Sequence, residues 1–188
     1  MSLIPEKRDA LKTELSNEDI DFIMANTELD KESILKCHAD FKKNCPDNKL
    51  DKPKFVKFYK NLIPGDSQDE ASLCEYVFQA FDVDLNGTID FAEFLLSFWV
   101  RSKGSLKEKL TWLFSIYDTD RSNCITSWEL NKVLKLVFAI KNIKEDPYQK
   151  SKKIFELMDR SKDNRITKEE FIAGCTKDET LRELFAPF

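Results

Sequence analysis

Apolar residues recur along this chain at spacings of three and four, the mark of helices with one buried face. Residues 1–31 are charged and weakly patterned, but Ser16-Asn-Glu-Asp reads as the cap of a short helix running to about Ala25. Ile20, Phe22 and Ile23 would form its apolar side. Glu32 to Lys42 predicts a second helix, with Ile34, Leu35, His38 and Phe41 toward one side. Phe55, Phe58, Tyr59, Leu62 and Ile63 predict a third, ending near Pro64-Gly65. A fourth spans about Asp69 to Phe81 on Leu73, Val77, Phe78 and Phe81, and Phe91, Phe94, Leu95 and Phe98 mark a fifth. The plan then repeats. Leu110, Leu113, Phe114 and Tyr117 make one face, Leu130, Val133, Leu134 and Phe138 the next. Ile154, Phe155 and Met158, then Phe171, Ile172 and Cys175, complete the series. Arg101-Ser-Lys-Gly104-Ser is a polar break and a candidate hinge between halves, and Ile140 to Pro147 is a polar connector.

Each helix pair flanks a polar stretch of twelve residues. These begin at Lys43, Asp82, Asp118 and Asp159, so the first positions lie 39, 36 and 41 residues apart. That is an internal repeat. A generic solenoid could repeat at such intervals. The recurring apolar residue at the eighth loop position (Leu50, Ile89, Ile125, Ile166) points instead to loops paired through short β-bridges.

The loop from Asp82 to Glu93 shows the chemistry most fully. Asp82, Asp84 and Asn86 offer side-chain oxygens at positions 1, 3 and 5, and Gly87 stands where the chain must turn sharply. Thr88 offers its backbone carbonyl, Asp90 would act through a water, and Glu93 can give both carboxylate oxygens. This is the EF-hand pattern, and its all-oxygen set suits Ca²⁺ better than the tighter octahedron of Mg²⁺. The third loop offers Asp118, Asp120, Ser122, the Cys124 carbonyl and Glu129; the fourth offers Asp159, Ser161, Asp163, the Arg165 carbonyl and Glu170. Asn123 and Asn164 replace the glycine there, and asparagine tolerates a left-handed backbone better than other side chains. Four carboxylates in the second loop against three in each of the others rank it first in affinity. The first loop has Lys43, Cys45 and Lys54 at positions 1, 3 and 12, and Pro46 stiffens it. Ammonium groups stand where carboxylates are required, so three Ca²⁺ are expected and the first loop stays empty.

Composition agrees with a folded, helical chain. Of 188 residues 41% are hydrophobic, 15 are Phe and only 4 are Gly. A net charge of −4 excludes the basic footprint of a nucleic-acid binder. The cysteines are odd in number, and none forms a C-x-x-C pair. With no signal peptide in view, reduced thiols and a cytoplasmic setting follow, with membrane association only through partners. The start Met-Ser lacks the glycine that N-myristoylation requires, so no lipid anchor is expected. His38 reads as a part-buried packing residue rather than a zinc ligand, having no thiol or imidazole partner nearby in sequence.

Several stretches together resemble the neuronal calcium sensor family of recoverin, visinin-like proteins and frequenin. They include Asn44-Cys45-Pro46, Ala80-Phe81-Asp82 leading to Gly87-Thr-Ile-Asp-Phe, Leu113-Phe114-Ser-Ile-Tyr117-Asp118 and Glu170-Phe171-Ile-Ala-Gly174-Cys175. The resemblance implies two paired EF-hand lobes acting as a Ca²⁺ sensor. It also implies a hydrophobic groove in the first lobe that binds an amphipathic helix of a kinase, cyclase, channel or receptor. Two departures stand out. The family usually begins Met-Gly, and it often carries an aromatic residue where this chain has Cys37.

The expected fold is all-α: four helix–loop–helix units in two paired lobes, over residues 32–100 and 105–176. An N-terminal segment covers 1–31 and a tail helix 177–188. Phe41, Phe55, Phe58, Tyr59, Phe91, Phe94 and Phe98 are the candidate walls of a groove for a partner helix. The alternative is a Ca²⁺ buffer that binds the ion and barely opens. No nucleophile–base pair or phosphate loop suggests an enzyme, and a monomer or weak dimer is expected. In the tail, Leu181, Leu184, Phe185 and Phe188 share one helical face. Two roles are open for it: packing on the fourth EF-hand, or covering the groove in competition with the partner.

Overall fold

Ser16 Oγ accepts the Asp19 N–H, and the Asp19 carboxylate accepts the Ser16 N–H in return. This capping box starts α1, Asn17–Asn26. The computed structural model describes residues 15–60 and 68–186. The helices that follow are α2 (Lys31–Asn44), α3 (Lys52–Lys60), α4 (Gln68–Phe81), α5 (Phe91–Lys103), α6 (Leu106–Tyr117), α7 (Ser127–Ile140), α8 (Pro147–Met158), α9 (Lys168–Lys177) and α10 (Glu179–Phe185). Four very short strands lie inside the loops: β1 (Lys49–Asp51), β2 (Thr88–Asp90), β3 (Cys124–Ile125) and β4 (Ile166–Thr167). The architecture is all-α, with loops joined in pairs.

The bridges form where the apolar eighth positions predict. Antiparallel β1 and β2 place Leu50 opposite Ile89, and β3 and β4 place Ile125 opposite Ile166. All four side chains are buried, so each bridge is at once a backbone ladder and a core contact. The two halves are not separate bodies. Helix α4 packs on both α6 and α7, and the Phe81 ring meets Trp112 edge-on at 5.8 Å. One continuous buried cluster runs from Ile20 to Phe185.

Two details differ from the sequence reading. Leu35 is exposed, because α2 turns Ile34, His38 and Phe41 inward and Leu35 lies about 100° round the helix from Ile34. Of the polar break 101–105, residues 101–103 continue α5, and only Gly104 and Ser105 separate α5 from α6. Gly104 is required by space, since a Cβ there would lie 2.4 Å from the Val100 carbonyl oxygen. Of the two roles open to the tail, α10 takes packing on the fourth EF-hand and not covering of the first-lobe groove. Helix α10 packs on α7 and α9, with Phe185 against Tyr117 and Phe171 at 5.0 Å each. The Tyr117 hydroxyl donates to the Phe185 carbonyl at 3.1 Å. Leu181, Leu184 and Phe185 are buried there, because the second EF pair offers an aromatic-lined cleft next to the point where the tail emerges. Leu62, Ile63, Pro64-Gly65 and Phe188, named in the sequence reading, lie outside the described residues.

Candidate functional site

Each acidic loop is wound by its own side chains. Asp82 takes the Asn86 and Gly87 N–H groups at 3.1 Å each, one on each carboxylate oxygen. Glu93 reaches back across the loop, accepting Val83 N–H at 2.9 Å, Asp84 N–H at 3.2 Å and Asp90 N–H at 3.0 Å. The third loop repeats this: Asp118 accepts Asn123 N–H at 3.0 Å, and Glu129 accepts Thr119, Asp120 and Thr126 N–H groups. In the fourth, Asp159 accepts Asn164 N–H at 3.1 Å, and Glu170 accepts Arg160, Ser161 and Thr167 N–H groups. The first and last acids of each loop thus gather the backbone around one point.

That winding needs two left-handed residues per loop. Gly87, Asn123 and Asn164 at the sixth position have φ of 81°, 62° and 65°. Leu85, Arg121 and Lys162 at the fourth have φ of 64°, 57° and 60°. The fourth-position requirement was not read from the sequence. It explains the first loop further: Pro46 stands there, and its ring fixes φ near −65°. Asn48 at its sixth position is left-handed at 58°, with His38 Nε2 against its side-chain oxygen at 3.0 Å. His38 also packs on Phe91 at 4.8 Å between ring centres, a packing role as expected.

Two loops bring three carboxylates within 4.8 Å of one another: Asp82, Asp84 and Glu93, and Asp118, Asp120 and Glu129. Among the described residues the fourth loop forms no such triad, having Ser161 at the third position. Asp82, Glu93, Asp118 and Glu129 are all buried. Burial, reinforced by the nearby Asp90 carboxylate, pushes Glu93 up to about 8. Burial likewise pushes Asp118 up to about 6 and raises Asp82. Glu170 differs: burial opposes ionisation, but hydrogen bonds from Thr167 and Ser161 outweigh it and hold the carboxyl at about 2. Clustered buried carboxylates are costly unless a cation joins them. A hard dication taking only oxygen donors meets that need.

Other candidate ligands occupy distinct positions. Asn86 Oδ1 accepts the Thr88 N–H and hydroxyl, and Asp84 accepts from Asn86. Asp90 caps α5, taking Glu93 N–H at 2.8 Å, and Thr126 and Thr167 cap α7 and α9 in the same way. The sequence carries these capping boxes as D-x-x-E before α5 and T-x-x-E before α7 and α9, a signal the sequence reading did not use. The Ser122 hydroxyl donates to the Cys124 carbonyl at 3.1 Å. Asp163 takes Arg165 N–H, while the Arg165 guanidinium turns away to the Cys124 sulfur at 3.5 Å.

Two family models, each describing an EF-hand domain pair, match residues 46–99 and 107–176. The chain belongs to the EF-hand superfamily. It is 28% identical over 179 residues to S-modulin of Aquarana catesbeiana and 29% identical over 182 residues to recoverin of Homo sapiens. Each alignment covers 90% of this chain and 88% of the relative. Both relatives are neuronal calcium sensors, as the motifs suggested, and not enzymes. Ca²⁺ is accordingly the ion the loops fit.

Beside the first EF-hand pair lies an apolar groove of about 940 Å³. Phe41, Phe58, Phe91, Phe94 and Phe98 line it, as the sequence reading proposed. Phe55 and Tyr59 do not. They stack on each other at 5.0 Å inside the core, where Phe55 also meets Phe78 and Phe81. Helix α3 sends alternate faces to core and groove, and only Phe58 of the three lands on the groove side. Leu29, Leu95 and Trp99 complete the wall and were missed, although Leu95 and Trp99 extend the stripe of Phe91 and Phe94 by helical spacing. Cys37 lines the groove too. Among the described residues no helix is long and apolar enough to cross a membrane.

Proposed function

We propose that this protein is a Ca²⁺ sensor whose first EF-hand pair docks an amphipathic helix of a signalling partner. The observation that carries the reading is the large apolar groove against the same pair that holds the Asp82 loop. Phe98 is 51% exposed and Phe58 43%, so aromatic surface is already presented to a partner. A concave apolar face walled by aromatic side chains is the shape that takes the apolar side of an amphipathic helix. The metal and the groove share a lever. Glu93, the last acid of the loop, is in the first turn of α5, and α5 carries Phe94, Phe98 and Trp99. Pulling Glu93 toward an ion moves the helix that forms the groove wall.

The proposed ligands are Asp82, Asp84, Asn86, the Thr88 carbonyl, Asp90 through water, and Glu93, with the corresponding third- and fourth-loop residues. Three ions would bind: two at the triads, whose first and last acids are buried, and a weaker one at the more exposed Asp159 loop. A hydrophobic dye tests the switch. Its fluorescence should rise on adding Ca²⁺, and Phe98→Ser should blunt that rise. Ca²⁺ binding with no dye response would make the chain a buffer instead.

A further inference from the structure

The first EF-hand unit carries ammonium groups at ligand positions of its loop, and it is basic within an acidic chain. Residues 31–60 carry nine lysines against four carboxylates, a net +5 within a protein of net −4. The remainder therefore sums to −9. Three lysines stand on the lip of the groove: Lys54 and Lys57 from α3 and Lys103 from α5. Lys57 and Lys103 are exposed and make no ion pair among the described residues. Lys54 shares Asp51 at 3.6 Å, itself half exposed. The one carboxylate on the lip, Asp40, is held by Lys43 at 2.6 Å. An apolar trough is thus rimmed by ammonium groups, of which Lys57 and Lys103 have no carboxylate paired with them among the described residues.

We infer that the disabled EF-hand unit serves as a basic lip that selects an amphipathic helix whose apolar face is flanked by carboxylates. This rests on the docking reading above and specifies its partner. Lys43 and Lys54, at the first and last positions of the empty loop, thereby have a second consequence. They keep a cation out, and they keep the lip positive whatever the Ca²⁺ level. Complementary charges at a rim act chiefly on encounter rate and on rejection of wrong partners. The apolar trough supplies the affinity and the lysines the choice. A helix with basic flanks would meet like charge along both walls, and this penalty falls as salt screens it over about 10 Å at 0.1 M.

Two labelled synthetic helices sharing one Leu/Phe face, one flanked by Glu and the other by Lys, test this by fluorescence anisotropy in Ca²⁺. At low salt the Glu-flanked peptide should bind at least about tenfold tighter, and the gap should close in concentrated NaCl. The double variant Lys57→Glu/Lys103→Glu, checked for helicity by circular dichroism, should reverse the preference. Equal binding of both peptides to the wild type would overturn the charge inference and leave groove docking standing. Binding of neither would overturn both. If both peptides bind equally, and sedimentation with phosphatidylserine vesicles is lost in the double variant, the lysines serve a membrane surface and the inference fails.

Discussion

Glu93 concentrates the chemistry of the second loop in a single side chain. It closes the loop by accepting three backbone N–H groups and lies buried beside Asp90. Glu93→Gln keeps the shape and removes the charge. Calorimetry should then count one fewer Ca²⁺ per chain, with the third and fourth loops still titrating. The sign of the pH effect follows from its raised pKa. Below about 8 the carboxyl holds a proton that it must lose to bind the ion. Affinity at this loop should therefore weaken as pH drops from 8 toward 6, with proton release on binding near neutrality. Glu170, held at about 2, should give the fourth loop no such dependence over that range.

At the scale of elements, Arg121 joins two units that the sequence pattern treats as separate. It occupies the left-handed fourth position of the third loop. Its guanidinium donates to the carbonyls of Gln79 and Asp82, and to that of Val83 at 3.1 Å. The Gln79 and Asp82 carbonyls lie at the C-terminal end of α4, where a cation also meets the negative pole of the helix. Hydrogen bonds from a charged donor are worth more than neutral ones, so Arg121→Ala should cost about 2 kcal/mol in urea unfolding. An unchanged midpoint would show that the link contributes nothing to stability. Nothing in the repeat marks this residue, since the fourth position of an EF-hand loop supplies no ligand.

On the scale of the whole molecule, the tail makes the second half a closed body. Phe185 is fully buried between Tyr117 and Phe171. Phe185→Ala should cost about 3–5 kcal/mol, as for other large core truncations. Thermal unfolding would read this directly, and dye binding at the first-lobe groove should stay as in the wild type. A rise in binding of a groove-directed peptide, without loss of stability, would restore the covering role that the packing of α10 excludes. The open groove and the closed cleft thus divide the molecule into one half that presents apolar surface and another that has filled its own.

The repeat, the acidic loops, the helix faces and the bridge positions were legible in the sequence because each depends on near neighbours. A carboxylate at the twelfth position, an asparagine able to turn left-handed or an isoleucine at the eighth has its meaning within one loop. The misfit of the first loop for a cation could likewise be read from Lys43 and Lys54. What the tertiary structure alone decided are choices between surfaces of equal apolarity. Phe55 and Phe58 lie three residues apart and look alike in sequence, yet one is core and the other groove wall. The tail stripe fits any aromatic cleft, and only the placement of Tyr117 and Phe171 settles which cleft it fills. Hydrophobic burial is non-directional, so a pattern of apolar residues says that a face will be covered without saying by what.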